Sequence, residues 1–306
     1  EIMPSLVGSE MCIRDSLKVK MFEPLSDELF SRFRELIYRE TGIAMKENKR
    51  ILLANRLRKR VLELGLNSYD DYYRYLTSNP KGRSEIINFI DAISTNETYF
   101  FRGNNHFEAL ADVVLPELFK KRKLIKAWSA GCSTGEEPYT ISIVAFEAKK
   151  KHSWNGKFKI IATDISNEVL NRAINGVYTE RTMRFLPEEI KQRYFEHIGD
   201  DKYRVCEMLK RNVSFIRHNL LKDPPPYDGF DFIFCRNVMI YFDRETQKKI
   251  VEDVFANAIK PDGYLFIGHS ESLIGKTEKF KYAHIMKAPI YRPAIRDQLS
   301  IHTREG

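Results

Sequence analysis

Two hydrophobic periods divide the chain. From Ser26 to about Ile93 apolar residues recur at helical spacing, whereas beyond a helix near Phe107–Arg122 short apolar runs alternate with amphipathic stretches. Ser26 can cap a helix whose Leu29, Phe30, Phe33, Leu36 and Ile37 recur at helical spacing. A second helix is predicted from about Lys46 to Leu64, stopped at Gly65. Asn67 and Ser68 introduce a third, tyrosine-rich helix (Tyr69, Tyr72, Tyr73, Tyr75) that ends before Asn79 and Pro80. A fourth spans about Ser84 to Ile93. The first part of the chain is therefore expected to be a compact helical bundle.

The later runs are Ile125–Ser129, Phe158–Thr163, Val213–Ile216, Phe230–Cys235 and Tyr264–Gly268. Helical patterns lie near Pro138–Lys150, Asn167–Asn175 and Arg244–Ile259. Strands alternating with helices imply βαβ units and a doubly wound, mostly parallel α/β sheet. Tyr203–Leu209 and Arg211–Arg217 flank Lys210 and read as an antiparallel hairpin inserted on that sheet. Lys281–His284 and Ile290–Arg292 would complete the sheet edge. The expected division is a non-native or disordered leader (1–20), a helical domain (21–93), a linker helix (94–124), an α/β domain (125–293, with the insertion at about 196–217) and a tail (294–306).

Composition narrows the class. No apolar run approaches the roughly 20 residues that cross a bilayer, and the N-terminus lacks the apolar core of a secretory signal, so a cytoplasmic address is expected. Four scattered cysteines show no zinc-ligand spacing, and seven histidines form no HxxxH or HExxH pattern, so no metal is expected. Net charge is +8, which favours an acidic partner.

The first predicted strand runs into Ala130-Gly131-Cys132-Ser133-Thr134-Gly135-Glu136-Glu137-Pro138, and a helix follows. A glycine-bearing turn there lets a ligand approach the backbone. A phosphate would want bare donors at the helix N-terminus, yet Glu136 and Glu137 stand at that position. Two carboxylates suit a cationic ligand such as S-adenosylmethionine, although acids also favour a helix N-terminus by themselves. The second strand ends in Asp164, which can accept ribose hydroxyls or cap the next helix. The fourth ends in Cys235-Arg236-Asn237, with Tyr241 just beyond. Ligands in open α/β sheets bind outside the carboxyl ends of the strands, so these groups converge.

Five segments together resemble the CheR-type chemotaxis receptor glutamate O-methyltransferases. They are Ser94-Thr95-Asn96-Glu97-Thr98-Tyr99-Phe100-Phe101-Arg102, Gly131 to Tyr139, Ala162-Thr163-Asp164-Ile165, Phe234 to Phe242, and Gly268-His269-Ser270-Glu271-Ser272. The match covers about Met21 to Pro293, in the family's order and spacing. The resemblance implies a Rossmann-like class I methyltransferase fold that uses S-adenosylmethionine and leaves S-adenosylhomocysteine. It implies that Asn96, Thr98 and Arg102 contact the cofactor from the linker, with Arg102 near the methionine carboxylate or the methyl acceptor. Glu137 and Asp164 would meet the amino group and the ribose. Asn219 and Leu220 would lie on the adenine side, Arg236 and Asn237 would add contacts, and Tyr241 would be the active-site tyrosine.

The acceptor implied is a glutamate carboxylate on the cytoplasmic helical region of transmembrane chemoreceptors. It is already ionised at neutral pH, so no general base is needed. Docking is expected on the second helix, where Lys46–Arg60 carries seven basic residues against one acid, Glu47. Lys46, Lys49, Arg56, Lys59 and Arg60 fall within an arc of about 140°, with Ile51, Ala54, Leu57, Val61 and Leu62 opposite. An RNA or small-molecule methyltransferase is the alternative, but no aromatic residue interleaves the stripe to stack on bases. Some members grip a C-terminal receptor peptide through a glycine-rich turn. Here Glu196 to Lys202 holds one glycine beside Asp200 and Asp201, so no such tether is expected.

Overall fold

The structure, a computed structural model, describes residues 23–294. The expected leader lies outside them, as does the tail beyond Ala294. The bundle is formed by α1 (Asp27–Thr41), α2 (Arg50–Glu63), α3 (Tyr69–Ser78) and α4 (Gly82–Ile93). Ser26 Oγ accepts the Leu29 amide at 3.2 Å and Ser68 Oγ the Asp71 amide at 3.0 Å, so both N-termini are capped by serine. Phe33, Tyr72 and Phe89 are fully buried with ring centres 6.0–6.4 Å apart. Each such ring contributes roughly 1.5–3 kcal/mol of burial.

Helix α2 differs from expectation in its buried row. Leu53, Leu57 and Val61 face the core, while Ile51 is 73% and Leu62 55% exposed. The seam with α3 and α4 is the narrow i, i+4, i+8 row, and residues one step to either side of it meet water.

An extended linker leads to one continuous helix, made of α5 (Asn104–Ala109), a π turn at Leu110–Val114 and α6 (Leu115–Lys121). The α/β domain follows with β1 (Leu124–Ala130), α7 (Glu136–Lys151), β2 (Lys157–Asp164), α8 (Asn167–Asn175) and β3 (Val177–Thr179). Next come α9 (Glu180–Met183), α10 (Glu188–Tyr194), β4 (Phe195–His197), β5 (Lys202–Val205), α11 (Glu207–Lys210), β6 (Val213–Arg217) and β7 (Phe230–Cys235). After a 3-10 turn at Met239–Tyr241, α12 (Arg244–Lys249) passes through a second π turn into α13 (Ala256–Ala258). The chain closes with β8 (Ile259–Ile267), β9 (Phe280–Ile285) and β10 (Ala288–Pro293).

The main sheet runs β6-β2-β1-β7-β8-β10-β9, with β10 antiparallel to both neighbours and the other pairs parallel. Apolar clusters on its two faces make the core. The order reverses between β1 and β7, which opens a crevice at their carboxyl ends.

The insertion is antiparallel, but its strands are not the expected ones. It is a three-stranded sheet, β3-β5-β4, whose hairpin joins β4 to β5. Glu207–Lys210 forms a helical turn, and Val213–Arg217 pairs in parallel with β2 as an edge of the main sheet. Phe215 and Ile216 pack against the clusters on opposite faces of the main sheet, burial that pairing with β5 would forgo.

The bundle is fastened to the α/β domain through the end of α1 and the loop after it. The Ala44 amide donates to Tyr241 O at 2.9 Å, and Ile43 bridges Phe242. Glu40 pairs with Lys222 at 2.7 Å and its carbonyl accepts Asn219 Nδ2 at 2.8 Å, while Tyr38 Oη donates to Asp243 at 2.8 Å.

Candidate active site

The loop from β1 to α7 turns on Gly131, at φ 81°, where a Cβ would lie 2.4 Å from Val238 Cγ2. A side chain there would force β1 and β7 apart at the crevice. The Gly131 and Cys132 amides both donate to Thr163 O at 2.8 Å, which binds the loop to β2. Ser133 is held at φ 50°, its amide donating to Asp164 Oδ2 at 2.9 Å. Asp164 Oδ1 accepts the Ser166 amide at 3.0 Å. Asp164 is not the cap of α8, because Ser166 Oγ takes that place by accepting from Val169.

The two adjacent glutamates diverge. Glu137 turns to the crevice, accepting from Ser129 Oγ at 2.7 Å and pairing with Arg236 Nη1 at 3.2 Å. Glu136 turns away, is buried, and accepts from Thr134 Oγ1 at 2.6 Å. Burial pushes Glu136 up to about 7. Burial also raises Glu137, against the pull of Arg236, and raises Asp164, against the amides of Ser166 and Ser133.

Arg236 is itself buried; one amino group donates to Arg102 O, and its Nε has no partner among the described residues. Burial lowers its pKa from the ordinary arginine value. Asn237 holds φ 59°, and Tyr241 ends the turn that follows. The Tyr241 side chain lines the cavity, and its hydroxyl makes no hydrogen bond to a described residue. Arg102 donates to Glu97 O at 2.6 Å, and the Asn96 carbonyl accepts from Ser133 Oγ at 3.3 Å.

One cavity of about 660 Å³ gathers Asn96, Thr98, Arg102, Glu137, Asp164, Asn219, Leu220, Arg236, Asn237 and Tyr241. It also takes Lys46, Lys49 and Arg56. Lys59 and Arg60 do not line it. Lys59 is exposed and 3.7 Å from Glu63. Arg60 grips the buried Glu85 with Nε at 2.9 Å and Nη2 at 2.7 Å, and Tyr72 donates to the same carboxylate. Asn219 Nδ2 donates to Glu40 O and its Oδ1 accepts the Leu221 amide, so part of its hydrogen bonding serves the junction between domains. Ile165, Val238 and Ile240 also line the cavity and were not singled out from sequence, since an apolar residue beside a polar motif carries no distinguishing signal. Glu271, in the segment Gly268-His269-Ser270-Glu271-Ser272, is buried behind the turn that carries Tyr241.

S-adenosylmethionine fits this chemistry. Buried Asp164 and largely buried Glu137 meet a cavity within the usual ligand range of roughly 300–1,000 Å³, and burial raises the pKa of both. A cation and hydroxyl donors would relieve that burial. No group of His, Cys, Asp and Glu among the described residues could hold a metal ion.

The sheet order with its single antiparallel strand, and a glycine loop feeding acidic groups at the ends of β1 and β2, define a class I S-adenosylmethionine-dependent methyltransferase. Residues 28–94 match the all-alpha domain of the CheR methyltransferases and residues 96–288 their S-adenosylmethionine-binding domain. The chemotaxis protein methyltransferase of Borreliella burgdorferi is 42% identical over 255 residues, covering 81% of this chain and 89% of that protein. That of Escherichia coli is 39% identical over 283 residues, covering 90% and 96%. Chemotaxis protein methyltransferase 2 of Pseudomonas aeruginosa is 41% identical over 251 residues, covering 81% and 87%. The chain belongs to the CheR methyltransferase family and is an S-adenosylmethionine-dependent methyltransferase of chemotaxis.

Proposed function

We propose that this enzyme esterifies glutamate side chains on the cytoplasmic helical region of chemoreceptors, for chemotactic adaptation. The observation that carries the reading is the shared cavity, where cofactor-type carboxylates and the cations Lys46, Lys49 and Arg56, on α2 and the turn before it, meet Arg102 and Tyr241. When bound, S-adenosylmethionine supplies a methyl carbon activated by a sulfonium, which an ionised carboxylate can take with no proton to move.

Glu137 would hold the cofactor's ammonium and Asp164 its ribose, with Asn96, Thr98, Asn237, Leu220 and Asn219 shaping the rest. Arg236 would keep Glu137 ionised and aimed. Arg102 and the free Tyr241 hydroxyl would orient the acceptor carboxylate in a site that sheds water. Alignment of two reactants in this way can supply about 7–11 kcal/mol. Lys46, Lys49 and Arg56 would draw an anionic helix toward the mouth, with Lys59 extending the field along α2. Arg60 drops out of that role, because Glu85 already neutralises it. The address that suits such a partner is the cytoplasm, and no helix among the described residues is long and apolar enough to cross a membrane.

The test is transfer of a tritiated methyl group to receptor-bearing membranes. Label released by base as methanol is expected; label that resists base, or appears in RNA, would refute a glutamyl ester.

A further inference from the structure

Beside the cavity stands a cluster that the cofactor site does not use. Tyr99 lines the main cavity and also a second recess of about 400 Å³, formed with Phe101, Gly103, Asn104, Phe185 and Pro187. The Tyr99 and Phe185 rings lie 5.2 Å apart at 46°. The Arg184 guanidinium sits 4.2 Å from the centre of one and 4.9 Å from the other. Phe185 is 57% exposed, although Met183 two positions earlier is buried.

The platform is anchored. The Phe100 amide donates to Thr182 O at 3.0 Å, joining the linker to α9. The Phe100 ring packs edge-on against Tyr178 and Phe195, with centres 4.8 and 5.1 Å away. Its charge is uncompensated. Arg181 and Arg184 are exposed, and neither reaches a carboxylate among the described residues. Two neighbouring acids are engaged elsewhere, since Lys191 draws Glu180 to 2.7 Å and Glu188 to 3.7 Å. Arg102 adds a third guanidinium 5.8 Å from the Tyr99 ring.

We propose that Tyr99, Phe185, Arg181 and Arg184 form a second docking surface for the methyl-acceptor protein, gripping an acidic helical segment that flanks the acceptor glutamate. This rests on the function proposed above and extends it. A guanidinium stacked on rings keeps its N–H edge free for a carboxylate, and the exposed rings take the aliphatic stem of a neighbouring side chain. On a helix, residues one or two turns from the acceptor lie roughly 5–11 Å away on the same face. Arg102 lies 5.8 Å from the Tyr99 ring, so with the acceptor held at Arg102 such a neighbour is within reach of Tyr99, which both recesses share. A small-molecule acceptor would have no use for charge outside the cavity.

The experiment is steady-state methylation of receptor-bearing membranes by wild type, Phe185→Ala, Arg184→Lys and the double variant Arg181→Glu/Arg184→Glu. S-adenosylhomocysteine affinity is measured alongside by calorimetry. Phe185→Ala and the charge reversal are expected to raise KM for receptor about tenfold, with kcat and S-adenosylhomocysteine affinity within about twofold of wild type. Arg184→Lys, which keeps charge but loses the flat stack, should fall between. Thermal melts check that each variant is folded, and the exposed positions make that the expected result. A wild type active on receptor, with variants that keep its KM, would overturn the docking surface and leave the function standing. A wild type inactive on receptor would overturn both. Competition by an RNA oligomer that is lost in Phe185→Ala would overturn the acidic protein as the occupant.

Discussion

Glu271 accepts the backbone N–H of Ile240 at 3.2 Å, and so the loop after β8 holds the turn that delivers Tyr241. Its other oxygen accepts the amides of Asn237, at 3.0 Å, and Gly268. A single buried carboxylate thus clamps the ends of β7 and β8. Glu271→Gln has one acceptor oxygen for three amides and turns an NH2 toward a donor. We expect a folded protein whose kcat falls about tenfold or more, a barrier rise of roughly 1.4 kcal/mol, with S-adenosylhomocysteine affinity within about threefold. An unchanged kcat would show that the turn keeps its place without the clamp.

Asp164 gives a cofactor prediction. Its two oxygens hold Ser133 and Ser166 while facing the cavity. Asp164→Asn removes the charge and one acceptor, and hydrogen bonds to charged groups contribute roughly 1.5–3 kcal/mol. S-adenosylhomocysteine binding should weaken by about ten- to a hundredfold in calorimetry, with folding retained. Unchanged affinity would remove Asp164 from the site.

The basic segment from Lys46 to Arg60 divides into two roles. Reversing charge at Lys46 and Lys49 should raise KM for receptor in a salt-sensitive way while leaving cofactor affinity intact. Arg60→Ala should instead destabilise the bundle by about 3 kcal/mol, because it strands the buried Glu85. Denaturant unfolding of the two variants separates the roles. A stable Arg60→Ala protein with impaired docking would return Arg60 to the receptor face.

Glu136 sets a pH dependence. Its folded pKa of about 7 exceeds the unfolded value near 4.3, so folding favours the protonated form. That stability is fully present below about pH 4.3 and is lost as pH rises through 7, by an amount of about 4 kcal/mol. Glu136→Gln should flatten the fall in urea midpoint between about pH 5 and 8. A variant as pH-sensitive as wild type would place the titrating group elsewhere.

The hairpin bears on tethering. Strand β4 is a three-residue edge, and the turn beyond it carries Gly199, Asp200 and Asp201. An edge for strand addition therefore exists, but its acidic turn would repel an acidic peptide. Titration with the C-terminal pentapeptides of the organism's own receptors should give no binding at micromolar concentrations. Binding abolished by changes in β4 or β5 would establish a tether.

Local chemistry made much of this protein legible. Serine caps, Gly65 and the 3.6-residue spacing marked the bundle, and alternating runs marked the main strands, because these signals act within a few residues of one another. The strand-end groups Gly131, Asp164 and Arg236 were readable for the same reason, since their positions follow from where a strand stops. Only the tertiary structure could choose the partner of Val213–Arg217, whose apolar side chains are served by β2 rather than β5. It also separated Glu136 from Glu137, one helical step of about 100° apart, sending one into the core and the other to the crevice. Arg60 followed the same logic: a cation on a basic stripe became an internal ion pair because Glu85, 25 residues along the chain, folds against it. Pairing, register and which charges meet are set by long-range packing, which no local pattern encodes.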